Sequence, residues 1–190
     1  MSVSVSDNEN TCPWGRIDKL AETVRERAKT LDALEGNIIS RANMERIINH
    51  YKGKLVEDDK NEGMRYESLG DEGFLIHCDT ENVTALELAH ELGHHLLLNN
   101  GKPPIGTIAH KYTPSDFCTL PKSTYEVRYV DEKEAEYFGL ALLLPKALFE
   151  EAIESHTIIE IAKQFGTTRF AVDKRGIDLG IWEKRRIQRD

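Results

Sequence analysis

The sequence predicts an α+β fold that is mostly helical and carries a small antiparallel or mixed sheet. Apolar residues recur every three or four positions along several segments, which is typical of amphipathic helices, and two short apolar runs bounded by turn residues indicate strands. The chain has 190 residues, of which 39% are hydrophobic and 31% charged. It is therefore long enough to bury one good core, and we expect a single domain with an appendage.

The predicted elements begin after a leader rich in Ser, Asn and Asp at residues 1–12, which we expect to be disordered. An amphipathic helix is predicted from Ile17 to Leu34, and a second helix from Ile38 to His50. Strands are predicted at 51–56 and 73–77, with an acidic, turn-rich stretch at 57–71 between them. A main domain at 13–150 and a C-terminal segment at 151–190 complete the predicted organisation.

The most informative motif is His90-Glu91-Leu92-Gly93-His94. Residues four apart share one face of a helix, so both imidazoles can reach a single zinc ion. Glu91 then lies beside the water position on that metal, where a carboxylate can remove and later deliver protons. The motif therefore predicts metal-assisted hydrolysis, with His90 and His94 as zinc ligands and Glu91 as the catalytic base.

The flanking residues predict that this motif is helical, because apolar residues continue on the same face. Thr80 or Asn82 is a suitable cap for its start, and Asn99-Asn100-Gly101 should end it. Gly93 costs about 1 kcal/mol of helix propensity relative to Ala. We expect this glycine to let another backbone approach closely, as a crowded metal site requires.

Zinc needs a third protein ligand and an open fourth position for water. Asp131 to Phe138 offers carboxylates on a second predicted helix, whose buried face would carry Ala135, Phe138, Ala141 and Leu142. Glu132 and Glu134 fall on opposite edges of that face, and Glu136 points further toward solvent. The helical projection leaves Glu132 and Glu134 as alternatives, with a slight preference for Glu134.

These two segments together resemble the ImmA/IrrE family of metallopeptidases. That family has an H-E-x-x-H helix followed by an E-A-N-x-F-A-x-x-L-L-M-P-like segment, and this chain has Glu134-Ala135-Glu136-Tyr137-Phe138-Gly139 and then Leu142-Leu143-Leu144-Pro145. The chain departs at Glu136, Gly139 and Leu144, where the family usually has Asn, Ala and Met. Matched residue by residue, the resemblance covers about residues 65–180 and implies Glu134 as the third zinc ligand.

The resemblance also implies a zincin-like catalytic core and a zinc-dependent endopeptidase. Many family members cleave or otherwise inactivate a transcriptional repressor encoded nearby, in mobile elements, prophages or stress-response systems. We therefore expect a protein substrate, in particular a DNA-binding repressor. The competing hypothesis is a non-catalytic, metal-containing module that binds a repressor or DNA, or a toxin-antitoxin partner.

Composition predicts a cytoplasmic protein. No apolar run approaches eighteen residues, and the N-terminus lacks the pattern of a signal peptide, so we expect no association with a membrane. Three widely spaced cysteines, Cys12, Cys78 and Cys118, suit a reducing compartment and are interpreted as buried thiols rather than ligands. Cys118 is a minor candidate for an inhibitory fourth zinc ligand.

Residues 101–130 contain four prolines and are predicted to form a loop that lines or covers the cleft. A peptidase gains from a hydrogen-bond donor aimed at the developing oxyanion. This segment contains five candidates for that role, among which the sequence does not choose: His110, Tyr112, Tyr125, Arg128 and Tyr129.

The C-terminal segment differs in charge from the rest. Residues 1–162 carry a net charge of −12, whereas residues 163–190 carry +4. Residues 158–172 resemble a helix-turn-helix in which two short helices meet at Gly166. Together with nearby basic residues, this segment is suited to phosphate binding, which would involve Lys174, Arg175, Lys184, Arg185 and Arg186. We favour packing of this unit on the catalytic core over direct nucleic-acid binding, because the excess charge is small. The oligomeric state is not predicted.

Overall fold

A computed structural model describes residues 14–58, 64–97, 108–110 and 122–182. Its helices are α1 (Gly15–Thr30), α2 (Arg41–His50), α3 (Ala85–Leu97), α4 (Lys122–Leu143), α5 (Lys146–Ser155), α6 (Ile158–Gln164) and α7 (Arg169–Asp178). Its strands are β1 (Gly53–Glu57), β2 (Arg65–Ser68), β3 (Phe74–Cys78) and β4 (Ile108–His110). The predicted α+β class is confirmed. None of the helices in the described ranges combines the length and the apolar character needed to cross a membrane.

The sheet is mixed, with strand order β1-β3-β2-β4. β1 runs parallel to β3, whereas β2 is antiparallel to both β3 and β4. Strands β1 and β3 lie within one or two residues of their predicted positions. β2 lies in the stretch predicted to be turn-rich, and β4 lies in the predicted loop at 101–130. The leader at 1–12 falls outside the described residues.

The helix ends follow local capping rules. Thr84 and Glu87 form a reciprocal capping box at the start of α3, in which each side chain accepts from the other's backbone N–H. Neither predicted cap serves, because Thr84 directly precedes α3 and accepts from the Glu87 backbone N–H. In the preceding turn, Asp79 accepts backbone hydrogen bonds from Glu81 and Asn82. α3 therefore begins at Ala85, shortly after this turn, and it carries the central motif.

One core cluster lies between the sheet and helices α1 to α4, and a second lies between α4 and the C-terminal helices. α4 contributes to both, with Phe138 in the first and Leu140 in the second, and Leu144 directly after α4 also belongs to the second. α5 crosses the predicted boundary between residues 150 and 151. α6 and α7 bury residues of the second cluster, which include Ile161, Ala162, Phe165, Ala171 and Val172.

Two buried arginines bond to backbone carbonyls at the end of α4. Arg25 on α1 donates from Nη1 to Leu142 O at 2.8 Å, and Arg175 on α7 donates from Nε to Leu144 O at 3.1 Å. The last carbonyls of a helix have no partner within the helix and carry partial negative charge, so cationic donors stabilise them. Both α1 and α7 are thereby attached to the helix that carries the candidate third ligand.

Arg175 corrects one prediction about the C-terminal segment. Its side chain is fully buried and donates from Nη2 to Asp18 Oδ1 at 2.7 Å, so it is not available to bind phosphate. Lys174 pairs with Asp178 at 3.0 Å and with Glu136 at 3.4 Å. Residues 184–186 lie outside the described part of the chain. The turn between α6 and α7 contains Gly166 at φ 62°, as predicted, and the helix-turn-helix identity of the pair stays a prediction.

Candidate metal centre

The site is built where α3 and α4 cross in close contact. A Cβ atom at Gly93 would lie 3.1 Å from both Ala135 Cα and Ala135 O, and 3.0 Å from the Phe138 ring. A Cβ atom at Gly139 would lie 3.2 Å from His90 N. The predicted close approach at Gly93 is confirmed. Gly139, which departs from the family pattern, contributes to the same contact from the opposite helix.

The two motif histidines and one carboxylate converge at this crossing. His90 Nε2 and His94 Nε2 are 3.0 Å apart, and Glu132 Oε2 and Oε1 lie 3.2 Å and 3.4 Å from these respective nitrogens. Ligands at 2.0–2.1 Å from a tetrahedral zinc ion are separated by about 3.3 Å from one another. The three groups therefore have the spacing of a three-ligand zinc site, and their N, N and O donors are ligands that zinc accepts.

In the structure Glu132, and not the predicted Glu134, lies beside the two motif histidines, which makes Glu132 the candidate third ligand. Both residues lie within the described part of α4, but only Glu132 belongs to the group with His90 and His94. Glu132 precedes Gly139 by seven residues, which is nearly two full turns, so both lie on the face turned toward α3. Glu134 is two residues from Glu132 and therefore points about 200° away from it around the helix.

Burial differs across the site. His94 is 2% exposed and Glu91 1%, whereas the side chains of His90 and Glu132 are 18% and 22% exposed. Solvent therefore reaches the site from the side of His90 and Glu132. Burial alone would raise the pKa of the Glu132 carboxyl, but hydrogen bonds and charge interactions with His90 and His94 outweigh it and hold the pKa at about 2. Glu132 is thus an anion over the whole physiological pH range.

Glu91 is four residues before His95 and shares its side of α3, and its charge acts on Tyr66 of β2. Burial raises the pKa of Tyr66 to about 12, a hydrogen bond with Ser68 opposes this, and the charge of Glu91 adds to it. Cys78 is also buried, and burial raises the pKa of its thiol to about 11. Cys78 is a free cysteine outside the group at the crossing, so its interpretation as a buried thiol is confirmed. Cys12 and Cys118 lie outside the described residues.

His95 directly follows the second motif histidine, and its contacts with Tyr66 and Phe74 place it on the sheet side of α3. It is absent from the metal-binding group among the described residues, and its Nδ1 lies 3.2 Å from the hydroxyl of Tyr66. Burial lowers the pKa of His95 to about 4, so the ring is neutral near pH 7. Tyr66 is a residue that sequence reasoning missed, although the alternation of Tyr66 and Ser68 with charged residues is a weak strand signal.

The five candidates for oxyanion stabilisation remain predictions. His110 belongs to β4, where its backbone pairs with Arg65. Tyr125, Arg128 and Tyr129 lie in the first half of α4, which begins at Lys122, and not in the predicted loop. Tyr112 lies outside the described residues.

An H-E-x-x-H helix in an α+β fold, with Glu132 of a second helix beside the two histidines, is typical of metallopeptidase-like proteins. The model of one protein family, the IrrE N-terminal-like domain (Peptidase_M78), matches residues 74–176. This match spans more than half of the chain, so the chain belongs to that family, and membership supports a metallopeptidase-type function. Comparisons with curated proteins and with solved structures gave no match. The matched region includes α3 and α4 and continues into α7.

Proposed function

We propose that the protein is a zinc-dependent metalloendopeptidase in which His90, His94 and Glu132 hold the metal and Glu91 is the general base. The observation that carries this proposal is the triangle of donor atoms at the crossing of α3 and α4, with separations of 3.0–3.4 Å. Two neutral imidazoles and one carboxylate leave one net positive charge on a bound zinc ion. Such a site resembles the catalytic sites that use two His and one Glu.

Zinc bound here would polarise the scissile carbonyl and lower the pKa of a water molecule toward about 7. Glu91 would act as the general base that accepts a proton from the attacking water while the water oxygen bonds to the carbonyl carbon. The same carboxyl would return the proton to the leaving amine when the C–N bond breaks, which would regenerate the base. Burial of Glu91 on a helix, directly after His90, holds its carboxylate in place for both transfers.

The proposed substrate is a DNA-binding repressor that is cleaved or otherwise inactivated in a mobile element, a prophage or a stress-response system, as the family resemblance implies. The net charge of −8 supports a basic protein substrate, because opposite charges accelerate encounter. We also propose a cytoplasmic location, where such a substrate is found. A helix-turn-helix repressor encoded next to this protein would be the first substrate to test.

The metal content of three purified proteins tests the site. We expect about one zinc ion per wild-type chain by mass spectrometry. Glu132→Gln should lower zinc affinity by about 10²-fold or more, since loss of a ligand exceeds the 10–100-fold cost of losing a partner outside the ligand set. Glu134→Gln is the matched control, because it makes the same change two residues away on α4, and it should keep wild-type zinc content.

Two results would contradict the proposal in different ways. Loss of zinc in Glu134→Gln alone would return the third ligand to Glu134. A wild-type chain that binds no zinc, even after reconstitution with the metal, would exclude the zinc peptidase and leave the toxin-antitoxin partner, which needs no metal. If zinc is bound, incubation with the neighbouring repressor should give cleavage products that a chelator prevents.

A further inference from the structure

Tyr66 and His95 make a buried polar contact between the sheet and the helix that carries the motif. The Tyr66 side chain is fully buried on β2, and its hydroxyl lies 3.2 Å from Nδ1 of His95 on α3. The His95 ring also stacks on Phe74 of β3, with ring centroids 4.1 Å apart and planes inclined by 22°. The His95 side chain therefore connects α3 to two strands of the sheet, β2 and β3.

This contact lies next to the reacting groups. His95 directly follows His94 and is four residues after Glu91, so Glu91 and His95 share the sheet-facing side of α3. The Tyr66 ring lies beside both histidines, with its centroid 6.3 Å from that of His94 and 6.1 Å from that of His95. Any rotation of α3 that displaces His95 also displaces the second histidine of the motif and the general base.

The rotation of α3 about its own axis matters more for function than the distance of α3 from the sheet. Side-chain ends lie about 6 Å from a helix axis, so a rotation of about 10° moves them by about 1 Å. A misplacement of about 1 Å in a catalytic group can cost on the order of 10²-fold in rate. Apolar packing holds α3 against its neighbours, but the hydrophobic effect itself is not directional. A hydrogen bond is directional and can fix the rotation.

We propose that the Tyr66–His95 hydrogen bond sets the rotation of α3 about its axis and thereby aims His94 and Glu91 at the metal position. Tyr66 and His95 are positioning residues, since neither belongs to the donor group of His90, His94 and Glu132 and Tyr66 is fully buried. The proposal rests on the proposed zinc site. It predicts that the bond contributes to zinc affinity as well as to the stability of the fold.

The first test uses the full chain and zinc ions alone, with affinity measured by competition with a chromogenic chelator. Tyr66→Phe removes only the hydroxyl and should lower zinc affinity by about 10-fold or more, the range found for partners that orient metal-binding histidines. Tyr137→Phe is the matched control: Tyr137 is also buried, and its hydroxyl donates to Asp18 at 3.0 Å. Both variants should lose about 2–4 °C in Tm, but only the first should lose zinc affinity.

A second set of variants separates positioning from stability. His95→Leu leaves the Tyr66 hydroxyl without this partner and should reduce both stability and zinc affinity. The double variant Tyr66→Phe with His95→Leu replaces both polar groups by apolar ones, so stability should recover while zinc affinity stays low. His95→Asn keeps a polar atom near the Nδ1 position and should restore much of the zinc affinity.

The outcomes distinguish this proposal from the zinc site itself. Wild-type protein that binds no zinc would overturn the proposed function and the positioning role together. Wild-type protein that binds zinc, with equal affinities for Tyr66→Phe and Tyr137→Phe, would overturn only the positioning role. Zinc affinity that recovers with stability in the double variant would also overturn it, because the bond would then act through the stability of the fold alone.

Discussion

Glu91→Gln should lower the rate of peptide hydrolysis by about 10²–10⁴-fold while zinc content stays near that of the wild-type protein. Gln has almost the same shape as Glu, so the buried side chain can keep its place on α3. Its amide cannot accept the proton of the attacking water or return one to the leaving amine. The chemical step therefore loses its base, whereas the donor group of His90, His94 and Glu132 is unchanged.

The measurement is a time course of repressor cleavage under zinc-saturated conditions, together with the zinc content of the same preparations. Glu134→Gln serves as the control, since it removes one carboxylate from α4 outside the donor group. A Glu91→Gln protein that holds zinc and cleaves within about twofold of the wild-type rate would rule out Glu91 as the base. If the wild-type protein and Glu91→Gln both hold zinc but neither cleaves the repressor, the non-catalytic, metal-containing module becomes the better hypothesis.

Local sequence was sufficient to predict that the two motif histidines lie together and insufficient to identify the carboxylate that lies beside them. His90 and His94 share a face because a helix repeats every 3.6 residues, and this spacing does not depend on the rest of the chain. The choice between Glu132 and Glu134 depends on how α4 crosses α3. That crossing is set by the contacts of Gly93 and Gly139 with the opposite helix, which only the folded chain displays.

The strands also differ in how far the local sequence predicts them. Apolar runs located β1 and β3, but β2 has only four residues, and Arg65 and Glu67 alternate with its two buried side chains. It forms a strand because β3 and β4 supply hydrogen-bonding partners on both sides. Tyr66 is therefore part of the site only through pairings between distant segments, so the chain near the motif gave no sign of its contact with His95.

Charge was the least informative feature of the C-terminal segment. Arg175 belongs to a basic stretch, and in sequence it is indistinguishable from an exposed phosphate-binding residue. In the fold it connects α7 to α1 through Asp18 and to the end of α4 through Leu144 O. The Asp18 carboxylate also accepts from Tyr137, whose ring lies 4.8 Å from the guanidinium carbon of Arg175. These contacts make α7 part of the structure that supports the helix carrying Glu132.

Arg175→Met should therefore lower the free energy of unfolding by about 3–5 kcal/mol, the cost of breaking a buried ion pair by removing one partner. Met has a similar length but no donors, so the largely buried Asp18 carboxylate loses its cationic partner and Leu144 O loses a hydrogen bond. For a chain of this size, the expected decrease in Tm is roughly 6–20 °C. Thermal unfolding followed by circular dichroism measures it directly.

Lys174→Met is the matched control, because it removes the neighbouring positive charge on the same helix. Lys174 is 31% exposed and its ion pairs with Glu136 and Asp178 are partly solvated, so the loss should stay within about 1 kcal/mol. Equal losses in the two variants would show that the Asp18–Arg175 pair does not hold α7 in place. Adding Asp18→Asn to Arg175→Met should recover part of the loss, because the second change removes the buried charge that the first leaves uncompensated.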